Sequence, residues 1–365
     1  MSEKKKVRIG LGTFDLIKGI AILSVVVGHA VQGHPGGGNL LANPLSCLLG
    51  SLMCGLMPMF FIINGYGFRK KPVKIMLKKT FSELVVPYLV AIPIATVLHF
   101  FFFWKLYPDM QHRLVDAEKR IITFFLGTDS AGPLWFLLAM FLANNLLNVI
   151  LKVKKESIQA LFAILCVAVG FIVMQFNSVM QFDHRSFRII EGLTAVGFCY
   201  FGYILKEKKV LGRMMYSVWS YIILIAMCMI QFWGALNGRT VFDMATAKYS
   251  VLSYICAGAT GVLLLFGGLF LNKIKWDWLE FVRKCGMYSY WILIVHTVDY
   301  LAVPWWNLWE ENPSVYLAFV IELGLRILII TTGCDIIKKI TQVRYKNKME
   351  KSIKAKQCVV AKLPE

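Results

Sequence analysis

Phe14-Asp15-Leu16-Ile17-Lys18-Gly19-Ile20-Ala21-Ile22-Leu23-Ser24-Val25-Val26-Val27-Gly28-His29 is apolar enough to enter a bilayer, yet carries an acid, a cation and an imidazole. An ionisable group in hydrocarbon costs a few kcal/mol on insertion scales, so each needs a partner or a task. Lys18 and His29 are eleven residues apart. At about 100° per residue they return to within roughly 20° of one helix face, about 16 Å apart along the axis. A cation near one end of a stripe and a proton-exchanging group three turns deeper suit an elongated anionic ligand whose reactive end lies far from its charges.

The rest of the chain extends this reading. Of 365 residues, 58% are hydrophobic and 17% charged, and the mean hydropathy is +0.62. Soluble domains have about 45–50% apolar and about 25% charged residues, so the expected class is an all-α polytopic membrane helix bundle. Ten apolar segments are read at roughly 14–32, 50–68, 82–104, 133–151, 157–176, 190–205, 213–234, 249–271, 286–303 and 313–337. With the N-terminus inside, the inner connections and ends carry 30 Lys and Arg, the outer ones 8. That asymmetry places both termini in the cytoplasm of a multi-pass cell-membrane protein. The formal charge of +19 follows these inner loops, and no basic stripe lies on a soluble domain, so nucleic acid is not an expected partner. Residues 1–13 form a basic cytoplasmic start, 14–337 the membrane domain, and 338–365 a basic tail suited to anionic headgroups. The basic start and first apolar segment could pass for a signal peptide, but no small-residue cleavage site stands out. Nine cysteines are scattered without metal-ligand spacing, so no metal site is expected.

Polar residues inside the segments are the candidates for chemistry. His29, with an ordinary value near 6.5, can take and return a proton. It can equally be a packing histidine. Lys18 can meet an anion or snorkel to the headgroups, and Asp15 can cap the helix start. Met57-Pro-Met-Phe-Phe-Ile-Ile-Asn64-Gly65-Tyr-Gly67-Phe-Arg69-Lys70 ends at the inner side, where Asn64, Arg69 and Lys70 can form a tight basic mouth for phosphates or an ordinary inner anchor. Trp135 follows a Gly-Pro entry at the outer side, and Arg188 and Glu191 cluster near the outer start of the sixth segment. His296 lies at a depth like that of His29, on a helix running the same way. Glu322 and Arg326, four apart, are expected to pair. The outer connection 105–132 reads as an interfacial helix over about 112–126 followed by a Gly/Pro turn, either a cover over a cavity or a surface loop. The loop Gln32–Asn39 reads as flexible.

In this order, Asp-x-x-Lys-Gly-Ile-Ala-Ile with His29, Pro58-x-Phe60-Phe61-x-x-x-Gly65, Leu134-Trp-Phe-Leu137, Phe201-Gly-Tyr203 and Tyr288-Ser-Tyr-Trp ending at His296 resemble the acyltransferase 3 family, membrane O-acyltransferases of bacterial surface glycans. The resemblance covers residues 14 to about 300. The family's first helix commonly carries Arg, ten residues and then His; here the Arg position is Lys18, which keeps the charge and loses the bidentate fork. The family's Ser-Gly in the second helix is Asn64-Gly65. The resemblance implies transfer of an acyl group, usually acetyl, from cytoplasmic acyl-CoA as co-substrate to a carbohydrate hydroxyl, with no bound cofactor. It implies His29 as general base or acyl carrier with Lys18 and Asp15 beside it. Lys18, Asn64, Arg69 and Lys70 would then receive the CoA, and Trp135, Arg188, Glu191 and His296 the acceptor. A transporter or flippase for a lipid-linked sugar or small metabolite would use the same intramembrane polar groups, but no internal repeat is visible. An inactive sensor or scaffold is the third reading.

Overall fold

A computed structural model describes residues 12–33, 44–103, 105, 107–125, 129–180, 188–237, 250–274, 276–305, 317, 319–336 and 339. The expectations for residues 1–11 of the basic start, for residues 34–39 of the loop Gln32–Asn39 and for nearly all of the tail lie outside them. The described residues form a helical bundle without strands. Its helices are α1 (Asp15–Gly33), α2 (Pro44–Met53), α3 (Leu56–Gly67), α4 (Val73–Thr80), α5 (Val86–Phe102), α6 (Met110–Phe125), α7 (Trp135–Ile150), α8 (Glu156–Met180), α9 (Ile189–Glu207), α10 (Val210–Met215), α11 (Val218–Leu236), α12 (Val251–Leu271), α13 (Asp277–Met287), α14 (Ser289–Ala302) and α15 (319–336).

Among the described residues, seven helical stretches are long and apolar enough to cross a membrane: Cys47–Gly67, Val73–Phe102, Gly132–Ile150, Glu156–Gln175, Ile189–Glu207, Val218–Leu236 and Val251–Leu271. They correspond to the second through eighth segments read from the sequence. The first, ninth and tenth segments are helical too, with different makeup. Helix α14 has 14 residues, about 21 Å at 1.5 Å per residue, short of the roughly 30 Å hydrocarbon core. It follows the amphipathic α13 after a break at Tyr288. The second span is also broken, at Cys54-Gly55 between α2 and α3. In the third, the five-residue π-helical stretch Phe81–Val85 joins the lysine-bearing α4 to α5, and such bulges bend a helix without ending it.

Helices in lipid gain little from hiding apolar surface from one another, so contact depends on close approach. Helix α3 crosses α9 where a Cβ on Gly65 would overlap the Cys199 carbonyl and one on Gly202 the Ile62 carbonyl. Helix α1 meets α13 the same way: Gly19 faces the Val282 carbonyl and Gly286 the Asp15 carbonyl. Around these crossings Leu16, Met59, Phe61 and Phe266 are fully buried. Large residues such as Ile164, Ile172, Trp219 and Phe102 are left facing outward, as a lipid-facing surface requires. Helix α1 also packs on α12 and α14, and α14 packs on α5. The His29 end of α1 therefore looks across at α14.

Candidate active site

The inner end is set by backbone contacts. Phe14 meets Tyr66 edge-on, with ring centroids 5.3 Å apart, which seats the start of α1 beside the end of α3. Lys18, one turn after Phe14, and Arg69, three residues after Tyr66, thus belong to the same end of the bundle. The chain from Phe68 to Lys71 is held from three points. The Lys206 ammonium donates to the Phe68 carbonyl at 3.2 Å. The Lys71 amide donates to Asn148 Oδ1 at 3.0 Å, and Asn148 Nδ2 donates to the Lys71 carbonyl at 3.0 Å. The loop is pinned while the Arg69 and Lys70 side chains remain exposed. Lys18 forms an ion pair with Asp15 at 2.6 Å, both partly exposed, so any anion there shares Lys18 with a carboxylate. Asn64 donates to Asn144 Oδ1 at 2.7 Å and lies 3.7 Å from Cys199 Sγ. Its amide nitrogen serves the junction of α3, α7 and α9.

At the far end of α1, His29 lies against α14. Its ring centroid is 5.5 Å from that of His296 and 5.0 Å from that of Tyr300. The two histidines meet because α1 packs on α14. The turn Asp129–Leu134 closes over this group: Gly132, at φ 49°, sits where a Cβ would contact the Tyr300 ring at 3.2 Å. A non-glycine residue is disfavoured at that φ and would also press on the tyrosine. Trp135 begins α7 just beyond, buried and edge-on to Phe136 at 6.1 Å.

Arg188 and Glu191 pair with each other at the start of α9. The guanidinium Nη1 donates to Glu191 Oε1 at 2.8 Å, and both side chains are buried. Arg188 adopts left-handed backbone angles, φ 54° and ψ 39°, immediately before α9, which costs a non-glycine residue on the order of 1–3 kcal/mol. The two groups answer each other's charge within the bundle.

Behind His296 lies a set that sequence reasoning found only in part. Glu322 and Arg326 pair as their spacing indicates, Nε to Oε1 at 2.8 Å. Arg326 also donates through Nη1 to Asp299 Oδ2 at 2.8 Å, and its guanidinium lies over the Trp305 ring at 4.7 Å. His296, Asp299, Glu322 and Arg326 are each at most 2% exposed. Asp299 went unread although its signal was present: an acid inside a membrane segment, one turn after a histidine.

A second polar group lies outside the bundle core. His99 Nδ1 donates to the Ala302 carbonyl at 2.8 Å, and Arg120 Nη1 donates to the Leu301 carbonyl at 2.9 Å. The C-terminal carbonyls of α14 are thereby capped from α5 and α6. Tyr107 donates to Asp116 at 2.7 Å and lies 2.7 Å from His99 Nε2; Arg120 Nε donates to Asp116 at 2.6 Å. Burial first, and then the Asp116 bond, push the Tyr107 hydroxyl up to about 12, so it stays a proton donor. Burial would raise Asp116, but the Tyr107 hydrogen bond and the Arg120 charge outweigh it and hold the carboxyl below its ordinary value. Thr96, His99, Tyr107, Arg113, Asp116 and Arg120 line a narrow cleft there. The expected interfacial helix is present as α6. No group of three or more His, Cys, Asp or Glu suited to a metal ion occurs among the described residues.

The arrangement offers a cationic end and an imidazole end joined by one helix. A family model described as an acyltransferase domain matches residues 11–337. Comparison with curated proteins and with solved structures finds no match.

Proposed function

Since this chain belongs to the acyltransferase 3 family, we propose that it is a membrane O-acyltransferase, with acetyl the expected acyl group, that moves the group from cytoplasmic acyl-CoA to a hydroxyl of a cell-surface carbohydrate. The observation that carries the proposal is the placement of His29 against His296, at 5.5 Å between centroids, on a helix whose other end opens beside the pinned basic loop. CoA is a polyanion on a long thin arm that ends in a thioester. Its phosphates match Lys18, Arg69 and Lys70, and the distance of about 16 Å along α1 leaves room for the arm.

In the transfer step His29 acts as general base. The acceptor oxygen forms a bond to the thioester carbonyl carbon as its proton passes to an imidazole nitrogen, and the carbon–sulfur bond then breaks. The imidazolium returns the proton to the departing thiolate, leaving ester and free thiol. In the two-stage variant, the imidazole nitrogen bonds to the thioester carbonyl carbon as the carbon–sulfur bond breaks and the thiolate leaves with the ring proton as free thiol; the acceptor oxygen then takes the acyl group from nitrogen and its proton returns to the imidazole. Trp135, Arg188, Glu191 and His296 form the acceptor side of the same reading, and the protein works in the cell membrane as a multi-pass enzyme.

The test is purified protein in bilayer discs, supplied with radiolabelled acetyl-CoA and a panel of glycans. Label appearing in a glycan supports the proposal, and His29→Ala is expected to lower the rate about 10²–10⁴-fold while the protein stays in the membrane. Full turnover by His29→Ala would overturn the role of His29. Movement of a sugar lipid across the bilayer without label transfer would replace the enzyme by a transporter.

A further inference from the structure

The four side chains His296, Asp299, Glu322 and Arg326 are buried together, and the two carboxylates share one guanidinium. Arg326 uses Nη1 on Asp299 and Nε on Glu322. On the other side of Asp299, His296 Nδ1 lies 3.8 Å from Oδ2. That is beyond hydrogen-bond distance. Among the described residues neither His296 ring nitrogen has a hydrogen-bond partner, nor has Asp299 Oδ1. An imidazole and a carboxylate, both fully enclosed and one turn apart, thus face each other with bonding capacity in hand.

We propose that Asp299 is a positioning residue for the transfer step: backed by Glu322 and Arg326, it supplies the negative charge that stabilises the proton when the His29–His296 pair holds it. The proposal rests on the acyl-transfer reading and adds to it a charge partner for the base. When His29 takes the acceptor's proton, the positive charge arises beside His296, and His296 in turn lies beside Asp299, so the carboxylate acts on the pair through His296. No reorganisation of water is needed, since the carboxylates are already in place. A 3.8 Å separation that closes to a hydrogen bond on protonation is the usual behaviour of catalytic contacts without substrate.

The other groups around the imidazoles have been considered from each packed element. Helix α1 contributes His29, α14 itself contributes Tyr300, and α15 contributes Glu322 and Arg326. Trp305 lies on the Arg326 side. Helix α5 contributes Tyr88 to the same apolar cluster, and His99 at the last carbonyls of α14. The turn before α7 brings Gly132 against Tyr300. The permanent cations around this set are Arg326, which both acids engage, and Arg188, whose charge reaches Tyr88 and which pairs with Glu191.

The test uses the full chain in bilayer discs with ¹⁵N-labelled histidine, the His296 signal being assigned from the spectrum of His296→Gln. Asp299→Asn keeps the shape and removes the charge. The His296 titration midpoint is expected to fall by about one pH unit or more and to recover in Asp299→Glu. In the acetyl-transfer assay Asp299→Asn should lower kcat about 10–10²-fold with KM for acetyl-CoA unchanged, and its acid limb should move to lower pH. A midpoint that does not move in folded Asp299→Asn overturns the charge-partner role, whatever happens to activity. If Asp299→Asn does not fold, Glu322→Gln removes a unit of charge one contact further away and should move the midpoint the same way by less; no movement there also overturns the proposal. Absence of transfer by the wild-type enzyme would overturn the acyl-transfer reading instead, while the spectroscopic arm still decides whether Asp299 acts on His296.

Discussion

Arg326→Met tests whether the buried triad is held by its single guanidinium. Arg326 is 1% exposed and donates to Asp299 and Glu322 at 2.8 Å each. Methionine fills much of the aliphatic stem and keeps contact with Trp305, so volume is nearly conserved and the loss is electrostatic. Removing one partner of a buried ion pair typically costs about 3–5 kcal/mol, because the remaining charge cannot be solvated. Here two carboxylates on neighbouring helices lose their shared cation and also repel each other. The upper part of that range is therefore expected, unless one acid takes up a proton, which returns part of the loss. At about 2–4 °C per kcal/mol for a sizeable domain, the unfolding midpoint should fall on the order of 10 °C. The assay is thermal unfolding of the protein in detergent, followed by tryptophan fluorescence. A companion variant separates charge from shape: Asp299→Asn added to Arg326→Met removes one of the stranded acids and should restore at least half of the lost stability, a coupling that independent sites would not show. Arg326→Met within about 1 kcal/mol of wild type would refute the view that the guanidinium carries the triad.

Three further outcomes are expected. Lys18→Ala should raise KM for acetyl-CoA several-fold with little change in KM for the acceptor, as steady-state kinetics will show; unchanged donor dependence removes Lys18 from the donor end. Gly65→Val places atoms against the Cys199 carbonyl, and since backbone cannot yield as a side chain can, a loss of about 1–3 kcal/mol or a failure to fold is expected, read by detergent stability against Gly50→Val, where a Cβ meets nothing within 4 Å. Because the Asp116 carboxyl is held below its ordinary value, its share of stability is present above about pH 3.9 and is lost as pH falls through the depressed value. Protection of the α6 amides, measured against the intrinsic exchange rate at each pH, should fall there and should not change with pH in Asp116→Asn; equal pH dependence of protection in both proteins would show that another group governs α6.

What could be read from the chain alone follows from how each feature is encoded. The membrane helices are local, written in runs of apolar residues, and seven of them meet length and composition criteria in the structure. The similar depth of His29 and His296 was also legible, since depth on helices of the same direction is a matter of counting. Their contact was not, because it depends on α1 lying against α14. Breaks at Cys54-Gly55 and Tyr288 were hidden inside apolar runs; hydropathy does not register a change of direction. Arg188 and Glu191 stood out as polar groups at the outer rim, but their mutual burial depends on the left-handed turn before α9. Asp299 is the instructive omission. Its neighbours in sequence are apolar and its partner Arg326 is 27 positions away, so only the packing of α14 on α15 reveals that the acid belongs to the histidine group.

That packing gives the outer helix a bearing on the imidazoles. Helix α14 ends at Ala302, three residues after Asp299, and its last carbonyls are capped by His99 and Arg120. Arg120 is held by Asp116, and Asp116 also receives the Tyr107 hydroxyl. The amphipathic α6 is therefore joined by hydrogen bonds to the very turn that carries Asp299 and Tyr300. A helix end without caps frays through its last turn, and fraying of α14 would reach Tyr300, whose ring lies beside His29, before it reached His296. Loss of the outer clamp should thus disturb the Tyr300 contact with His29 first and the charge partner of the base second. The order is set by residue position along one helix: Tyr300 lies two residues from the end, Asp299 three and His296 six.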